Sequence, residues 1–182
     1  FESPALVRIE TGKGTIVVAV ATREAPVTAA NFLAYVDEGR LDGVAFYRVV
    51  KVDPGYGFVQ FGVNGEADRV LPPIAHEPTS ETGIHHVDGT LSVARREPGT
   101  AQGEFTIMLG DQRPGFDARG ADAQNGEWPG YAAFGRVVEG MDVVEAILDL
   151  PVSPTATVRG VFQGQVPTAK VRVLSARRIP QD

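Results

Sequence analysis

The chain has 182 residues, of which 43% are apolar and 22% are charged, so it can bury one substantial core and we expect a single domain. Its 17 basic and 23 acidic residues give a net charge of −6, and no basic cluster exceeds two residues, which argues against nucleic acid as a partner. It has no cysteine, which excludes disulfides and thiol chemistry, and it has no apolar run long enough for a membrane span.

The first quarter of the chain predicts a hairpin followed by a helix. Two β-rich runs, 7–10 and 15–20, flank the glycine-containing stretch 11–14 and are typical of a hairpin. A helix is predicted between Pro26 and Gly39, because apolar side chains recur there at helical spacing, at Ala29, Phe32, Leu33 and Val36.

The middle of the chain alternates short predicted strands with irregular segments. The predicted strands are 46–50, 58–61, 89–94, 104–109 and 132–138, each rich in β-branched or aromatic residues. Segments 62–89 and 110–130 lack periodicity and are dense in turn-forming residues, so we expect two long surface excursions.

A second helix and a final strand complete the pattern. The helix spans 142–150 and is stopped by Pro151, and the alternation around Val171 and Val173 predicts a last strand that pairs with the first hairpin. About eight strands and two helices without βαβ alternation indicate a mainly β fold. We expect a closed eight-stranded antiparallel barrel capped by two α-helices.

Four motifs occur in an order that resembles the cyclophilin family of peptidyl-prolyl cis-trans isomerases, and in particular its bacterial members. The resemblance covers about residues 5–150 of a single domain 1–182, and leaves about 151–182 as a C-terminal extension. Its motifs are APVTAANF at 25–32, FYRVV at 46–50, GTLSVA at 89–94 and FGRVVEGMDVV at 134–144. The resemblance implies the same capped barrel, catalysed rotation about X-Pro bonds of unfolded or flexible polypeptides, and assistance to protein folding.

Rotation about an X-Pro bond makes and breaks no covalent bond, but it must overcome amide resonance, with a barrier of about 18–20 kcal/mol. In the twisted state the prolyl nitrogen regains a lone pair that accepts a hydrogen bond, so a fixed cation beside it lowers the barrier. Arg48 stands at the position of the family's catalytic arginine, and its guanidinium is charged at any physiological pH.

The resemblance also implies a substrate-binding surface. Gln60 matches the glutamine that binds the peptide backbone, Phe58 shares its strand face, and Tyr47 belongs to the catalytic motif. Ala94 and Arg95 match residues that pair with the extended peptide, with Arg95 in place of the usual asparagine.

Several positions of the proline pocket depart from the family's pattern. Thr106 stands where a phenylalanine is usual, which removes apolar area unless Phe116 or Trp128 fills the space. The other substitutions are Glu104 for glutamine, Tyr131 for histidine and Phe116 for leucine. Four extra residues between Arg48 and Gln60 leave Tyr56, Phe58 or no side chain as the second pocket aromatic.

These departures keep an alternative open: a proline-peptide binding module or chaperone with weak or no isomerase turnover, or a purely structural barrel. The expected partners are proline-containing polypeptides and, weakly, cyclosporin-like ligands, and the chain is expected to be a monomer that needs no cofactor. The motifs resemble those of bacterial members, and the extension 160–182 slightly favours the bacterial periplasm over the cytoplasm. No metal site is predicted, because adjacent His85 and His86 would point apart on a strand and His76 lacks a familiar spacing. Ser92 lacks a nucleophile-elbow context.

Overall fold

Eight antiparallel strands form one sheet in the computed structural model, which describes residues 1–181. The order across the sheet is β3-β4-β6-β5-β7-β2-β1-β8. The strands are β1 (Ala5–Thr11), β2 (Gly14–Val20), β3 (Phe46–Asp53), β4 (Tyr56–Gly62), β5 (Thr90–Val93), β6 (Glu104–Leu109), β7 (Ala132–Glu139) and β8 (Val173–Arg178). The predicted opening hairpin is present, with Thr11 paired to Gly14 at its turn.

The two edges of the sheet meet near the beginning of β3. A backbone bridge joins Ala45 to Arg172, and the Phe46 N–H donates to the Val171 carbonyl over 2.8 Å. On its other side β8 pairs with β1, as predicted, although it starts at Val173 rather than near residue 170. The sheet therefore curls into the predicted barrel, and residues 173–178 form one of its strands.

Two helices of more than one turn are present, α1 (Pro26–Asp37) and α4 (Met141–Leu148), where the apolar spacing predicts them. Each long excursion also contains a single helical turn, α2 (Thr79–Thr82) and α3 (Arg113–Phe116). Four residues are too few for a periodic pattern to show in the sequence. Within residues 1–181, no helix combines the length and apolar character needed to cross a bilayer.

Phe105 lies at the centre of the core between the barrel and α1. Its buried ring meets Phe32 edge-on at a centroid distance of 5.0 Å, and Tyr35 at 5.7 Å. Phe61 and Phe134, both fully buried, lie 5.9 Å from it. The barrel interior is therefore filled by aromatic side chains, and the cleft described below lies on its outer face.

The first long excursion caps the N-terminus of α1. No side chain of the helix's own N-cap bonds its first N–H groups. Instead the Glu77 carboxylate accepts the Val27 N–H over 3.1 Å and the Thr28 N–H over 2.6 Å, together with the Thr28 hydroxyl. A carboxylate at this end also interacts favourably with the helix dipole. The excursion is thus anchored to the helix that covers the core.

Glu77→Ala is expected to lower the free energy of unfolding by about 1–2 kcal/mol, because the first N–H groups of α1 lose their acceptor. Urea unfolding followed by far-UV circular dichroism measures the change. Glu81→Ala, an exposed carboxylate in the same excursion, is the matched control and is expected to change the value by less than about 0.5 kcal/mol. Equal losses in both variants would contradict the capping role.

Candidate functional site

Strand register aligns a row of polar side chains across the outside of the barrel. Arg48 of β3 pairs with Gln60 of β4, Gln60 with Thr106 of β6, and Thr106 with Ser92 of β5. Residues paired across neighbouring strands point to the same face, and Phe58, two residues before Gln60, shares that face. Arg48, Gln60 and Thr106 of this row line a cleft, and Ser92 lies buried at its end.

A β-bulge at Tyr47 adds a second side chain from β3 to this face. Phe46 pairs with Phe61 and Arg48 with Gln60, so one extra residue of β3 opposes the adjacent residues of β4. Phe46 points into the core, whereas Tyr47 and Arg48 both line the cleft. Such a bulge re-aims side chains without breaking the sheet. It explains how two consecutive residues serve one site.

The cleft has a volume of about 680 Å³, and all ten residues proposed from the sequence line it. Their individual roles stay predictions. They are Tyr47, Arg48, Phe58, Gln60, Ala94, Arg95, Glu104, Thr106, Phe116 and Tyr131. Of the two candidate aromatics, Phe58 lines the cleft, whereas Tyr56 lies outside it with its hydroxyl bonded to the Asp111 carbonyl at 2.9 Å. The four extra residues before Gln60 simply lengthen the β3–β4 hairpin.

Arg48 is half-buried and held by two amides. Its Nε donates to Gln165 Oε1 over 2.7 Å, and its NH1 donates to Gln60 Oε1 over 3.0 Å. Burial lowers the pKa of Arg48, but a guanidinium remains charged in proteins. Of its five N–H groups, these two bonds use two, and within residues 1–181 the others have no protein acceptor. Arg48 can therefore donate to a substrate while it stays fixed.

Gln60 is fixed in turn by a chain of hydrogen bonds. Its Nε2 donates to the Tyr47 hydroxyl over 2.7 Å, and that hydroxyl donates to Glu104 Oε1 over 2.8 Å. The Glu104 carboxylate also accepts the Asn64 N–H over 3.1 Å. Burial raises the pKa of Tyr47 and raises the pKa of Glu104. Tyr47 thus stays protonated and acts as a donor, which orients the Gln60 oxygen towards Arg48.

Three aromatic rings form the apolar wall of the cleft. Phe116 of α3 meets Phe58 edge-on at 5.3 Å and Tyr131 at 5.1 Å. Phe116 and Thr106 both line the cleft, and Phe116 contributes aromatic surface to it. Trp128 does not line the cleft and packs behind Tyr131 at 5.9 Å. A fixed cation beside an aromatic hollow is what binding and twisting a prolyl bond requires.

Comparison with known proteins agrees with this arrangement. The family model described as cyclophilin type peptidyl-prolyl cis-trans isomerase matches residues 6–178. The chain belongs to the cyclophilin family. The matched residues extend beyond 5–150, on which the sequence motifs lie, and include β8.

Named relatives support the same family, and solved structures share its fold. The chain is 36% identical over 174 residues to the peptidyl-prolyl cis-trans isomerase cyp18 of Streptomyces antibioticus, covering 94% of this chain and 96% of that protein. It is 32% identical to the peptidyl-prolyl cis-trans isomerase of Acinetobacter baylyi, covering 94% and 84%. A cyclophilin type isomerase of Cryptosporidium parvum has the same fold, with a TM-score of 0.70, 18% identity and coverage of 98% and 99%. A second structure of it, in the presence of the dipeptide Ala-Pro, has a TM-score of 0.73, 19% identity and coverage of 97% and 99%.

The Arg95 side chain performs a structural task at the edge of the cleft. Its Nε donates to the Gly130 carbonyl over 3.1 Å, its NH2 donates to the same oxygen, and the guanidinium lies 4.6 Å from the Tyr131 ring. These contacts hold the second excursion, 110–130, beside the cleft. The Ala94 N–H donates to the Glu104 carbonyl over 2.9 Å, so this donor is already used within the sheet.

Positive charge surrounds the cleft although the chain as a whole is acidic. Arg48, Arg95, Arg96 and Arg159 line it, against the single carboxylate of Glu104. Arg159 comes from a segment after α4 and donates to the Asn64 carbonyl over 2.7 Å. The sequence analysis missed Arg159, Phe162 and Gln165, since nothing local to residues 151–170 shows that this segment returns to β3.

The two adjacent histidines converge on one carboxylate, contrary to the expectation that they point apart. Residues 85–86 are not in a strand, so the alternation of a strand does not apply. His85 Nδ1 lies 2.7 Å from one Asp117 oxygen, and His86 Nδ1 lies 2.7 Å from the other. His86 Nε2 lies 2.8 Å from Ser92 Oγ, which is fully buried and cannot reach a substrate. His76 Nε2 lies 2.8 Å from the Pro129 carbonyl oxygen.

This cluster supports the cleft from beneath, because Asp117 follows Phe116 and the His86 ring lies 5.4 Å from the Phe116 ring. Burial lowers the pKa of His86, against the opposing effect of Asp117. Burial also acts to raise the pKa of Asp117, but its bonds to the histidines outweigh this and lower it. No group of three or more His, Cys, Asp or Glu suited to a metal occurs in the part of the chain that the structure describes.

The stability of the fold is expected to decrease as the pH falls. His86 and Asp117 both have a lowered pKa in the folded state, so protonation of either group favours unfolding. The loss of stability is expected to begin below about pH 6.5 through His86 and to continue below about pH 4 through Asp117. Asp117→Asn should lower the free energy of unfolding at pH 7 by about 2 kcal/mol and make the further loss of stability below about pH 4 smaller. Guanidinium unfolding at several pH values tests this, with His85→Ala, an exposed partner, as the milder control. Unchanged stability of Asp117→Asn at pH 7 would contradict it.

Proposed function

We infer that the chain is a peptidyl-prolyl cis-trans isomerase that catalyses rotation about X-Pro bonds in unfolded or flexible polypeptides and assists their folding. Family membership supports the activity. The geometry of Arg48 supports the assignment to this site. The side-chain amides of Gln60 and Gln165 fix its guanidinium, while its free N–H groups face an aromatic hollow. No cofactor takes part in the proposed reaction.

In the proposed mechanism Arg48 stabilises the twisted bond and the aromatic wall binds the prolyl ring. The ring lies against Phe58, Phe116 and Tyr131, which partly removes the amide from water and disfavours its charge-separated planar form. A free N–H of Arg48 donates to the prolyl nitrogen as it becomes pyramidal, so the interaction is stronger in the twisted state than in either planar isomer.

The flanking peptide is proposed to lie extended along the end of β5. The Ala94 oxygen and the Arg95 N–H pair with its backbone, and Gln60 donates to or accepts from the residue next to proline. The family resemblance implies a tryptophan that contacts cyclosporin, and the single tryptophan of this chain, Trp128, lies outside the cleft, so we propose that cyclosporin-like ligands bind weakly.

A protease-coupled assay with Ala-Pro peptides tests the activity directly. Acceleration of the cis-to-trans step that is proportional to chain concentration supports the assignment. No acceleration over the uncatalysed rate at micromolar chain would refute it.

The rival function is a proline-peptide binding module with little turnover. Thr106 favours it, because this side chain provides less apolar area against the ring than the family's aromatic. The two functions differ in one result: a binding module shifts NMR signals of cleft residues on addition of peptide and leaves the peptide's cis-trans rate unchanged.

Acidic peptides are expected to be preferred substrates, because four arginines surround the cleft. Partly exposed charge pairs contribute about 0.2–1 kcal/mol each, so kcat/KM for Glu-Pro peptides should exceed that for Lys-Pro peptides by roughly two- to fivefold. The difference should shrink as salt rises from low concentration to about 0.5 M. Arg96→Ala should reduce it, and a preference for Lys-Pro would contradict the expectation.

A further inference from the structure

The segment 158–165, between α4 and β8, contributes Arg159 and Phe162 to the lining of the cleft. Val158 and Val161 exchange backbone hydrogen bonds of 2.8 and 3.0 Å around a tight turn. Phe162 follows with a φ of 65°, a left-handed conformation that non-glycine residues seldom adopt. The Gln165 carbonyl then accepts the Val49 N–H over 2.8 Å, which fastens the segment beside Arg48. The backbone therefore aims these side chains rather than leaving them free in solvent.

Both aimed side chains reach the Arg48 guanidinium. The Phe162 ring centroid lies 3.8 Å from the Arg48 Cζ, a close cation–π contact, while Phe58 lies 5.1 Å from it. Gln165 Oε1 accepts the Nε–H over 2.7 Å. Together with the Gln60 bond to NH1, these contacts restrain the position and the rotation of the planar group.

Neither contact consumes the donors that catalysis needs. Phe162 covers one face of the guanidinium, where there is no N–H, and Gln165 accepts only the Nε–H. The NH2 group and one NH1 hydrogen stay available to a substrate. An obstructing segment would instead occupy the donors or fill the cleft, which keeps a volume of about 680 Å³.

We propose that Phe162 and Gln165 are positioning residues, which hold Arg48 in the orientation that stabilises the twisted X-Pro bond. The proposal rests on the isomerase activity inferred above and extends it to a segment outside the motifs. Arginine has a long flexible side chain, and small displacements of a catalytic group are costly in rate. Restraint from this segment therefore acts on kcat more than on peptide binding.

Matched variants of the segment test the proposal through a split between kcat and KM. Gln165→Ala keeps the backbone anchor and should lower kcat roughly ten- to hundredfold with KM changed less than about threefold. Gln165→Glu keeps an acceptor for the Nε–H and should therefore retain most of the wild-type kcat. Phe162→Leu should lower kcat, and Phe162→Tyr should preserve it. The control is Gln163→Ala, an exposed neighbour that bonds only the Pro154 carbonyl, and it should leave both constants unchanged.

A second readout is independent of turnover. The Arg48 Nε–H signal in NMR should exchange slowly with water in the wild-type chain and in Gln163→Ala, and rapidly in Gln165→Ala, while backbone amide signals of β3 persist. Unchanged kcat and unchanged Nε–H exchange in Gln165→Ala would overturn the proposal, as would higher kcat in Phe162→Leu, which would indicate obstruction. Absence of turnover in the wild type would refute the isomerase assignment instead, and the exchange measurement would still decide the positioning role.

Discussion

Arg48→Ala is expected to lower kcat/KM for X-Pro peptides by roughly 10²–10³-fold, with most of the loss in kcat. The variant removes the charged donor that faces the prolyl nitrogen, and removal of one such fixed donor in other enzymes has an effect of this size. The aromatic wall and the Ala94 carbonyl remain, so peptide binding should weaken only a few-fold. The protease-coupled assay over a range of peptide concentrations separates the two constants.

Arg48→Lys refines this test, because lysine keeps a charge but cannot bond Gln60, Gln165 and a substrate in the planar arrangement of a guanidinium. We expect an activity between those of the wild type and the alanine variant. Arg8→Ala is the control, since Arg8 is half-exposed on β1 and does not line the cleft. Equal kcat/KM for Arg8→Ala and Arg48→Ala would contradict the role of Arg48.

Phe105→Ala is expected to have the largest effect on stability, lowering the free energy of unfolding by about 3–5 kcal/mol. Phe105 is fully buried among Phe32, Tyr35, Phe61 and Phe134, so the truncation leaves a cavity that rigid neighbouring rings cannot refill. Guanidinium unfolding followed by tryptophan fluorescence measures the change.

The matched control for the core is Leu174→Ala on β8, where the side chain is 64% exposed. Its effect should stay within about 0.5 kcal/mol. A loss of under 1 kcal/mol in Phe105→Ala would indicate that the aromatic cluster is not the centre of the core.

Much of the fold is predictable because its signals are local. Alternation and a glycine turn define the β1–β2 hairpin, and the apolar spacing between Pro26 and Gly39 defines α1. The resemblance carried by four motifs in order led to the proposal of residues that strand register then aligns, since Gln60 pairs with Arg48 and Thr106 pairs with Gln60 on neighbouring strands.

The features that escaped prediction depend on contacts between residues far apart in the chain. Gln165 bonds Arg48 across 117 positions, and Glu77 caps α1 across about 50. No periodicity marks either residue, because each lies in an irregular segment. The convergence of His85 and His86 on Asp117 also escaped prediction. The two histidines were expected to point apart because a strand was assumed at these positions, and the structure has no strand there.

Two-dimensional exchange NMR on an uncleaved Ala-Pro peptide is the most direct test of Arg48 acting on the twisted bond, because it reports binding and isomerisation together. With the wild-type chain at substoichiometric concentration, the account predicts cis-trans exchange cross-peaks at mixing times of a second or less, on which the free peptide shows none. With Arg48→Ala, the peptide should still cause shifts at Phe58, Phe116 and Tyr131, but the cross-peaks should be lost. Equal exchange rates with both chains, or peptide binding by the wild type without exchange, would contradict it.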